Sequence, residues 1–252
     1  MTRSHGWRGH AGQAPCSLGP TGTTSGGQDP GTHGCLVSTL APRPSPRLSH
    51  VPVKGADPHV SLPPGIRRWH AFNPAIRADW SCHAIQARDG RWILFDPFDG
   101  PSGLGWESQS DGVVGAIIAT NGNHERAATA WMSHVPVPAW ASPDAGLPCA
   151  PWQPLVPGLP WLDDWDIADL RGGGPGEVAI RVPALDLVVF GDAVINLPGR
   201  ALEFLPDKYC TSPSALREGV ARLLRRPFSR ALLAHGEPLV TDASARIAAL
   251  LR

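Results

Sequence analysis

Three short stretches carry side chains able to do chemistry. Thr120-Asn121-Gly122-Asn123-His124-Glu125-Arg126 follows one apolar run, Gly191-Asp192 follows a second, and His235-Gly236-Glu237 follows a third. A histidine beside a carboxylate, here His235 with Asp192 or Glu237, is the minimum for metal-free acid–base catalysis, although such pairs recur in ordinary structure. Glu237 is expected to face solvent. Amides such as Asn121 and Asn123 are weak neutral oxygen ligands, better suited to hard cations. Arg126 is permanently protonated, has no lone pair to donate, and repels any cation beside it. At about 4 Å and an effective dielectric near 20, one unit charge interacts by about 4 kcal/mol, and a dication roughly doubles that. Other catalytic signatures are missing from the sequence. There is no G-x-S-x-G elbow, P-loop or G-x-G-x-x-G. Gly172-Gly173-Gly174 is followed by neither Lys-Ser/Thr nor a helix start, so it reads as a loop and not a phosphate cradle.

The elements that must position these residues alternate between strand and helix. Ser81 to Ala87 and Arg91 to Phe95 flank Asp89-Gly90, a two-residue hairpin signal. Val113 to Ala119 reads as a buried strand that feeds the polar run. Glu125 to His134 carries helix formers. Val135 to Ala141 returns as a strand, with Pro136 and Pro138 predicting an edge position. A Pro/Gly/Trp-rich loop runs from Ser142 to about Pro160. A second hairpin joins Glu177–Val182 to Leu185–Phe190. Ser212 is a plausible N-cap, with Pro213 at the first helical position and Leu216, Val220, Leu223 and Leu224 at helical spacing. Arg230 to Ala234 is a short strand, and Asp242 to Leu251 closes the chain as a helix, with Thr241 as its expected cap.

Composition sets the frame. The chain has 252 residues, 22 basic and 22 acidic, so nothing global favours nucleic acid or an anionic membrane as partner. No apolar run is long enough for a transmembrane helix, and no secretory signal is visible behind the N-terminal basic residues. Residues 1–64 hold 10 Gly and 10 Pro, with Trp7 as the one aromatic. They bury too little apolar surface to offset ordering entropy and read as a disordered extension. Its histidines (His5, His10, His33, His50, His59) show no ligand spacing. Residues 65–252 are enough for one sizeable core. The five cysteines are scattered, with no C-x-x-C pair, and read as reduced thiols of a cytoplasmic protein. Trp69, Phe72, Trp80, Trp152, Trp161 and Trp165 could line a groove, but aromatics at this density more often fill core. Arg222, Arg225 and Arg226 read as cations favoured at a helix C-terminus.

Four segments, in order, resemble the metallo-β-lactamase superfamily. They are Ile93-Leu94-Phe95-Asp96-Pro97, Ala116 to Arg126, Val188-Val189-Phe190-Gly191-Asp192-Ala193, and Leu232-Leu233-Ala234-His235-Gly236-Glu237-Pro238. The resemblance covers residues 65–252 and implies an α/β fold, a four-layer αββα sandwich. The second segment lies where the family has T-H-x-H-x-D-H, and looks closest to a divergent group with T-N-x-[DN]-H. In a complete member, the first two motif histidines and a later one hold one zinc. The motif Asp, its last His and a terminal His hold a second, and another Asp bridges both. Carried over residue by residue, those two histidines are Asn121 and Asn123, the motif Asp is Glu125, the last His is Arg126, and the later His falls near Glu177. Asp192 and His235 keep the family's residue types.

The resemblance therefore implies a degraded binuclear site. The favoured expectation is a non-zinc binding or structural module derived from a hydrolase. In it Asn121, Asn123, Glu125, Arg126, Asp192 and His235 form a polar pocket, with Arg126 paired to Asp192 or Glu177, that either holds the loops in place with no ligand or binds a small anionic or carbonyl molecule. No cofactor is expected on this reading, and Asp192 and His235 are the candidate catalytic groups. The alternative is a hydrolase with one divalent metal, zinc or another, held by His124, Glu177, Asp192 and His235.

Overall fold

The computed structural model describes residues 61–106, 112–148, 151–159, 162 and 164–252. The Gly/Pro-rich stretch up to residue 60, its five histidines, Cys16, Cys35, Cys149 and Trp161 lie outside the described residues.

Two sheets carry the fold. The first holds β1 (Ile66–Asn73), β2 (Ala78–Gln86), β3 (Trp92–Phe95), β4 (Val114–Ala119), β5 (Ala139–Ala141) and β6 (Trp152–Pro154), side by side in that order. β1, β2 and β3 pair antiparallel, and β3 through β6 run parallel. Helix α1 (Ala128–His134) makes the crossover from β4 to β5. The second sheet is built from β7 (Asp166–Asp169), β8 (Val178–Val182) and β9 (Leu187–Phe190). A small ribbon of β10 (Val194–Ile195) and β11 (Glu203–Phe204) follows, then α2 (Pro213–Leu223). β12 (Arg230–Leu233) then pairs with β9 in parallel, giving the order β12-β9-β8-β7, and α3 (Ala243–Ala248) follows it.

The sandwich follows from strands that are apolar on both faces. On β3, Ile93 and Phe95 point between the sheets, while Trp92 and Leu94 point outward to α1. On β4, Ala116 and Ile118 join the inner layer, and Ile117 and Ala119 the outer one beneath Trp131. In the second sheet, Val178, Ile180, Val182, Leu187, Val189 and Leu232 fill the same inner layer. Val188, Phe190, Ala231 and Leu233 meet Leu216 and Val220 of α2 and Ile247 of α3 on the far side. The result is four layers: helix, sheet, sheet, helices. Phe95 and Phe190 are fully buried, and truncating such a residue to Ala costs roughly 3–5 kcal/mol.

Several expectations need correction. β5 is not an edge strand, because β6 pairs along its free side; Pro136 and Pro138 stand before the strand, where they interrupt no ladder. The helix expected from Glu125 starts at Ala128, because Asn121 first caps a 3-10 turn over Gly122–His124. Asp242, not Thr241, stands at the start of α3, in a left-handed conformation with no side-chain cap. β1 carries alternating basic and aromatic residues and was not anticipated. Trp69, Trp152 and Trp165 are buried in core, whereas Trp80 is half-buried and Phe72 exposed. Arg226 pairs with Asp166 on β7, and Arg181 donates to carbonyls at the end of α2. No helix among the described residues is long and apolar enough to cross a membrane.

Candidate functional site

Four strand ends meet at one place. β3 ends in Asp96, β4 in Thr120 and Asn121, β9 leads through Gly191 to Asp192, and β12 leads through Ala234 to His235. β3 and β4 run parallel, as do β9 and β12, so all four present their carboxyl ends, where α/β sheets place ligands. Gly191 is required by crowding: a Cβ there would lie 2.5 Å from Thr120 Oγ1 and 2.7 Å from Glu177 Oε1.

Asp192 is the centre of the cluster. Its Oδ1 lies 3.2 Å from His124 Nε2 and 3.0 Å from His235 Nε2. Each imidazole is held from behind through its other nitrogen. His235 Nδ1 is 2.8 Å from the carbonyl oxygen of Asp79, which can only accept, so Nδ1 carries a proton. His124 Nδ1 donates to Asp96 Oδ2 at 3.0 Å, with Thr120 Oγ1 at 2.9 Å. Thr120 in turn donates to Asp96 through its backbone N–H (2.8 Å) and its hydroxyl (2.7 Å). Asp96 has a positive φ of 49°, a conformation unfavourable for a non-glycine residue and common at functional sites.

On the other side of Asp192 the hydrogen bonds are closed. Asn121 Nδ2 donates to Glu177 Oε2 (2.7 Å) and to Asp192 Oδ2 (3.1 Å), and Asn121 Oδ1 accepts the Asn123 N–H (2.9 Å). Glu177 Oε1 accepts the Ala193 N–H (3.0 Å). Both ends of the Asn121 amide are therefore used within the protein. Asn123 is exposed at the rim. A Cβ on Gly174 would point among Asn121, Asn123 and Glu177, 3.3–3.5 Å from each, so the loop lining this side brings no side chain there.

Arg126 departs from expectation. It pairs with neither Asp192 nor Glu177. Its Nη1 donates to the carbonyls of Ser81 (2.9 Å) and Asp96 (3.1 Å), and its Nη2 stands 3.1 Å from His124 Nε2. The Trp80 ring covers the guanidinium at 5.0 Å. Glu125, expected in the pocket, instead accepts the Thr129 hydroxyl at 3.2 Å on the exposed side of the chain. Glu237, expected in solvent, is ion-paired with buried Arg68 at 3.2 Å. The same Arg68 donates to the Gly236 carbonyl and to Ser81 Oγ, fixing the loop that carries His235.

The charges are mutually dependent. Burial and Arg126 push the His124 imidazolium toward losing its proton, but Asp192 and Asp96 outweigh them and lift it to about 9. Burial opposes ionisation of Asp192, yet His124 and His235 hold it well below the usual carboxylate range. Burial, helped by Asp192, raises Glu177 to about 8. His124 Nε2 has incompatible neighbours: as an N–H it satisfies Asp192 but meets Arg126 donor to donor, and as a lone pair it satisfies Arg126 but faces a carboxylate oxygen.

These positions decide which metals fit. A second ion finds few ligands among them: Asn121 is spent on hydrogen bonds, Arg126 has no lone pair, and Gly174 has no side chain. A single ion could be held. His124, Asp192 and His235 each offer one ligand atom, all within 4.8 Å of one another. The separations of 3.0 and 3.2 Å to Asp192 Oδ1 are close to the edge of about 3.3 Å of a tetrahedron with zinc bonds near 2.0 Å. Glu177, expected as a fourth ligand, belongs instead to the hydrogen-bonded side. Asp79 was not singled out from sequence, and Asp96, Thr120 and Gly174 stood in quoted segments without a role in the site. Asp96 had the clearest signal, as the polar residue ending an apolar strand next to the motif strand.

No protein-family model matches this sequence, and no curated protein is similar enough in sequence to count as a relative. Solved structures do match. TTHA1623, in a di-iron-bound form, is 25% identical with a TM-score of 0.52, covering 67% of this chain and 92% of its own. The metallo-β-lactamase FIM-1 from Pseudomonas aeruginosa, in its mono-zinc form, is 14% identical with a TM-score of 0.61, covering 80% of this chain and 95% of its own. A metallo-β-lactamase from Hirschia baltica is 14% identical with a TM-score of 0.58, covering 80% and 98%.

Proposed function

We infer that this chain, a divergent member of the metallo-β-lactamase superfamily with its αββα fold, is a hydrolase-type protein that works with one divalent metal ion, best matched by zinc. His124 Nε2, Asp192 and His235 Nε2 would hold it. One observation carries this reading: both histidines commit Nδ1 to a fixed acceptor and turn Nε2 toward the same oxygen of Asp192. Metal-ligating histidines are characteristically held in this way, by a carboxylate or carbonyl at the far nitrogen. Three protein ligands leave a fourth position for water or substrate, the arrangement of catalytic rather than structural zinc. The ion would supply Lewis acidity and activate water for attack on an ester-type bond.

Charge supports one ion over two. With Glu177 held mostly protonated at neutral pH, ionised Asp96 and Asp192 and protonated Arg126 sum to −1. One dication takes the pocket to +1, and a second would take it to +3. FIM-1 is a protein of this fold observed with a single zinc. The chain's own residues then divide the work. Asp96 and the Asp79 carbonyl orient the two imidazoles. Asn121 holds Asp192 and Glu177 at a fixed spacing. Trp80 covers the Arg126 guanidinium beside His124.

Metal analysis of protein purified without added zinc tests this. About one equivalent is expected, and less than about a tenth would end the reading. The competing reading is a metal-free polar network, favoured by the 3.1 Å contact between Arg126 Nη2 and His124 Nε2. On that reading Arg126→Glu lowers thermal stability while metal content is nil from the start.

A further inference from the structure

Arg126 is a half-buried cation beside the candidate site, with its partners incompletely accounted for. A guanidinium has five N–H donors in one plane. Two backbone carbonyls take Nη1, and the only group within hydrogen-bond reach of Nη2 among the described residues is His124 Nε2, which accepts only when it carries no proton. No carboxylate among the described residues forms an ion pair with it, although Asp96 and Asp192 ion-pair with the neighbouring His124. Asp96 and Asp192 act on the half-buried guanidinium electrostatically without an ion-pair contact, whereas a cation partly withdrawn from water normally has a counter-charge in contact.

The proposed metal sharpens the problem. When His124 Nε2 serves as a ligand, its lone pair is committed to the ion, and Nη2 has no acceptor among the described residues. The Trp80 ring lies over the guanidinium, 5.0 Å from Cζ to the ring centre, so an acceptor would have to approach along the N–H edge. Nη2 stands 3.1 Å from a ligand nitrogen, so that edge borders the coordination space.

We propose that Arg126 is an oxyanion-binding residue: its Nη2 edge, next to the His124–Asp192–His235 triad, receives one oxygen of a phosphate or carboxylate group on the substrate. The guanidinium thus takes the place that a second cation would fill, as a fixed positive charge with directed donors. The anion offsets the charge that Arg126 brings near the ion, and its oxygens satisfy the donors that the metal frees. The proposal rests on the single-metal reading for its setting, but it concerns different atoms.

Inorganic phosphate is the probe, titrated calorimetrically into the wild-type chain with and without one equivalent of zinc. Wild-type protein should bind phosphate, more tightly with zinc. Arg126→Met should weaken binding about 10- to 100-fold, the loss expected for a charged hydrogen-bonding group. If Arg126→Met fails to fold, Arg126→Lys decides: its ammonium can hold the charge but not both carbonyls and the anion, so phosphate binding should still weaken about tenfold. Failure of wild-type protein to bind phosphate, or equal binding by wild type and the folded variant, overturns the proposal. Protein that takes no metal but binds phosphate through Arg126 keeps this inference and removes the single-metal reading. Protein that takes one zinc and ignores phosphate does the reverse.

Discussion

The two sides of Asp192 are built from similar residue types and do opposite things. On one side, Oδ1 faces two imidazole nitrogens whose far atoms are pinned by Asp96 and the Asp79 carbonyl. On the other, Oδ2 accepts one N–H of an amide whose remaining polar atoms are committed to Glu177 and Asn123. The first side points lone pairs at a shared centre and needs a proton or a metal between them. The second side is already satisfied and needs nothing. A pocket is chemically open where its acceptors outnumber its donors, and it closes when an amide supplies both.

The largest expected effect comes from removing the residue that both sides share. Asp192→Asn takes away the one anionic ligand and places an amide between two histidines. Zinc affinity, measured by competition with a chelator, should fall by more than about 100-fold, beyond the usual cost of an outer-sphere change. Asn121 can still hydrogen-bond the new side chain, so the other side should persist and the variant should fold. Retention of wild-type affinity would mean that the ion, if any, sits elsewhere.

Asp96→Asn should have the next largest effect. Asp96 is not itself a proposed ligand but orients His124 and accepts twice from Thr120. Substitutions of this kind typically cost 10- to 100-fold in metal affinity. The matching change on the closed side, Glu177→Gln, should leave zinc affinity within about threefold, because Glu177 is no ligand, while destabilising the fold by about 1–3 kcal/mol through the lost N–H acceptor. A reversed ranking of the two variants in zinc affinity would dissolve the distinction between the sides.

How much of this was legible in the sequence depends on whether a residue acts through its type or through its surroundings. β3, β4, β8, β9 and β12 could be read because both faces are buried, which forces continuous apolar runs. β1 could not: Arg67 lies over Trp92 and Trp106, and Arg68 reaches back to the His235 loop, so its partners come from distant segments. Residues 139–141 carried a false edge signal, because the prolines before them were counted inside the strand. In the site, His124, Asp192 and His235 were visible as residue types. The fate of Glu125 and Arg126 was not, since the 3-10 turn and the positive φ of 41° at Arg126 redirect both side chains. The Asp79 carbonyl has no signature in sequence, because every residue has one.

Proton binding gives a third way to separate the two sides. In metal-free protein, folded His124 keeps its proton to about pH 9, whereas the unfolded chain releases it near 6.5. The folded state then binds more protons than the unfolded one across this window. Stability is fully present below pH 6.5 and falls as pH rises toward 9, by up to about 3 kcal/mol. Glu177 acts in the same direction at lower pH, since its carboxyl also titrates higher in the folded state, at about 8. Denaturant melts of chelator-treated protein at pH 6, 7.5 and 9 should show the decline. Zinc should largely abolish it, because the ion replaces the His124 proton. A flat profile without metal would mean that His124 is not held as an imidazolium between the two carboxylates.

The smallest effect is the most discriminating. Asn123→His restores one imidazole to the closed side, at an exposed rim position where it should fold without penalty. If residue identity at that position were all that separated the sides, this change would begin to recruit a second ion. We expect zinc stoichiometry to stay at one. The new imidazole would find Asn121 still bridging Glu177 and Asp192, no side chain at Gly174, and Arg126 fixed by the Ser81 and Asp96 carbonyls beside His124. Each of these disfavours a second dication independently, and the guanidinium alone opposes it by about 8 kcal/mol at 4 Å in an effective dielectric of 20. A rise toward two equivalents on this one substitution would show that the closed side is a metal site lacking a single ligand, and that the hydrogen bonds of Asn121 give way readily to a cation.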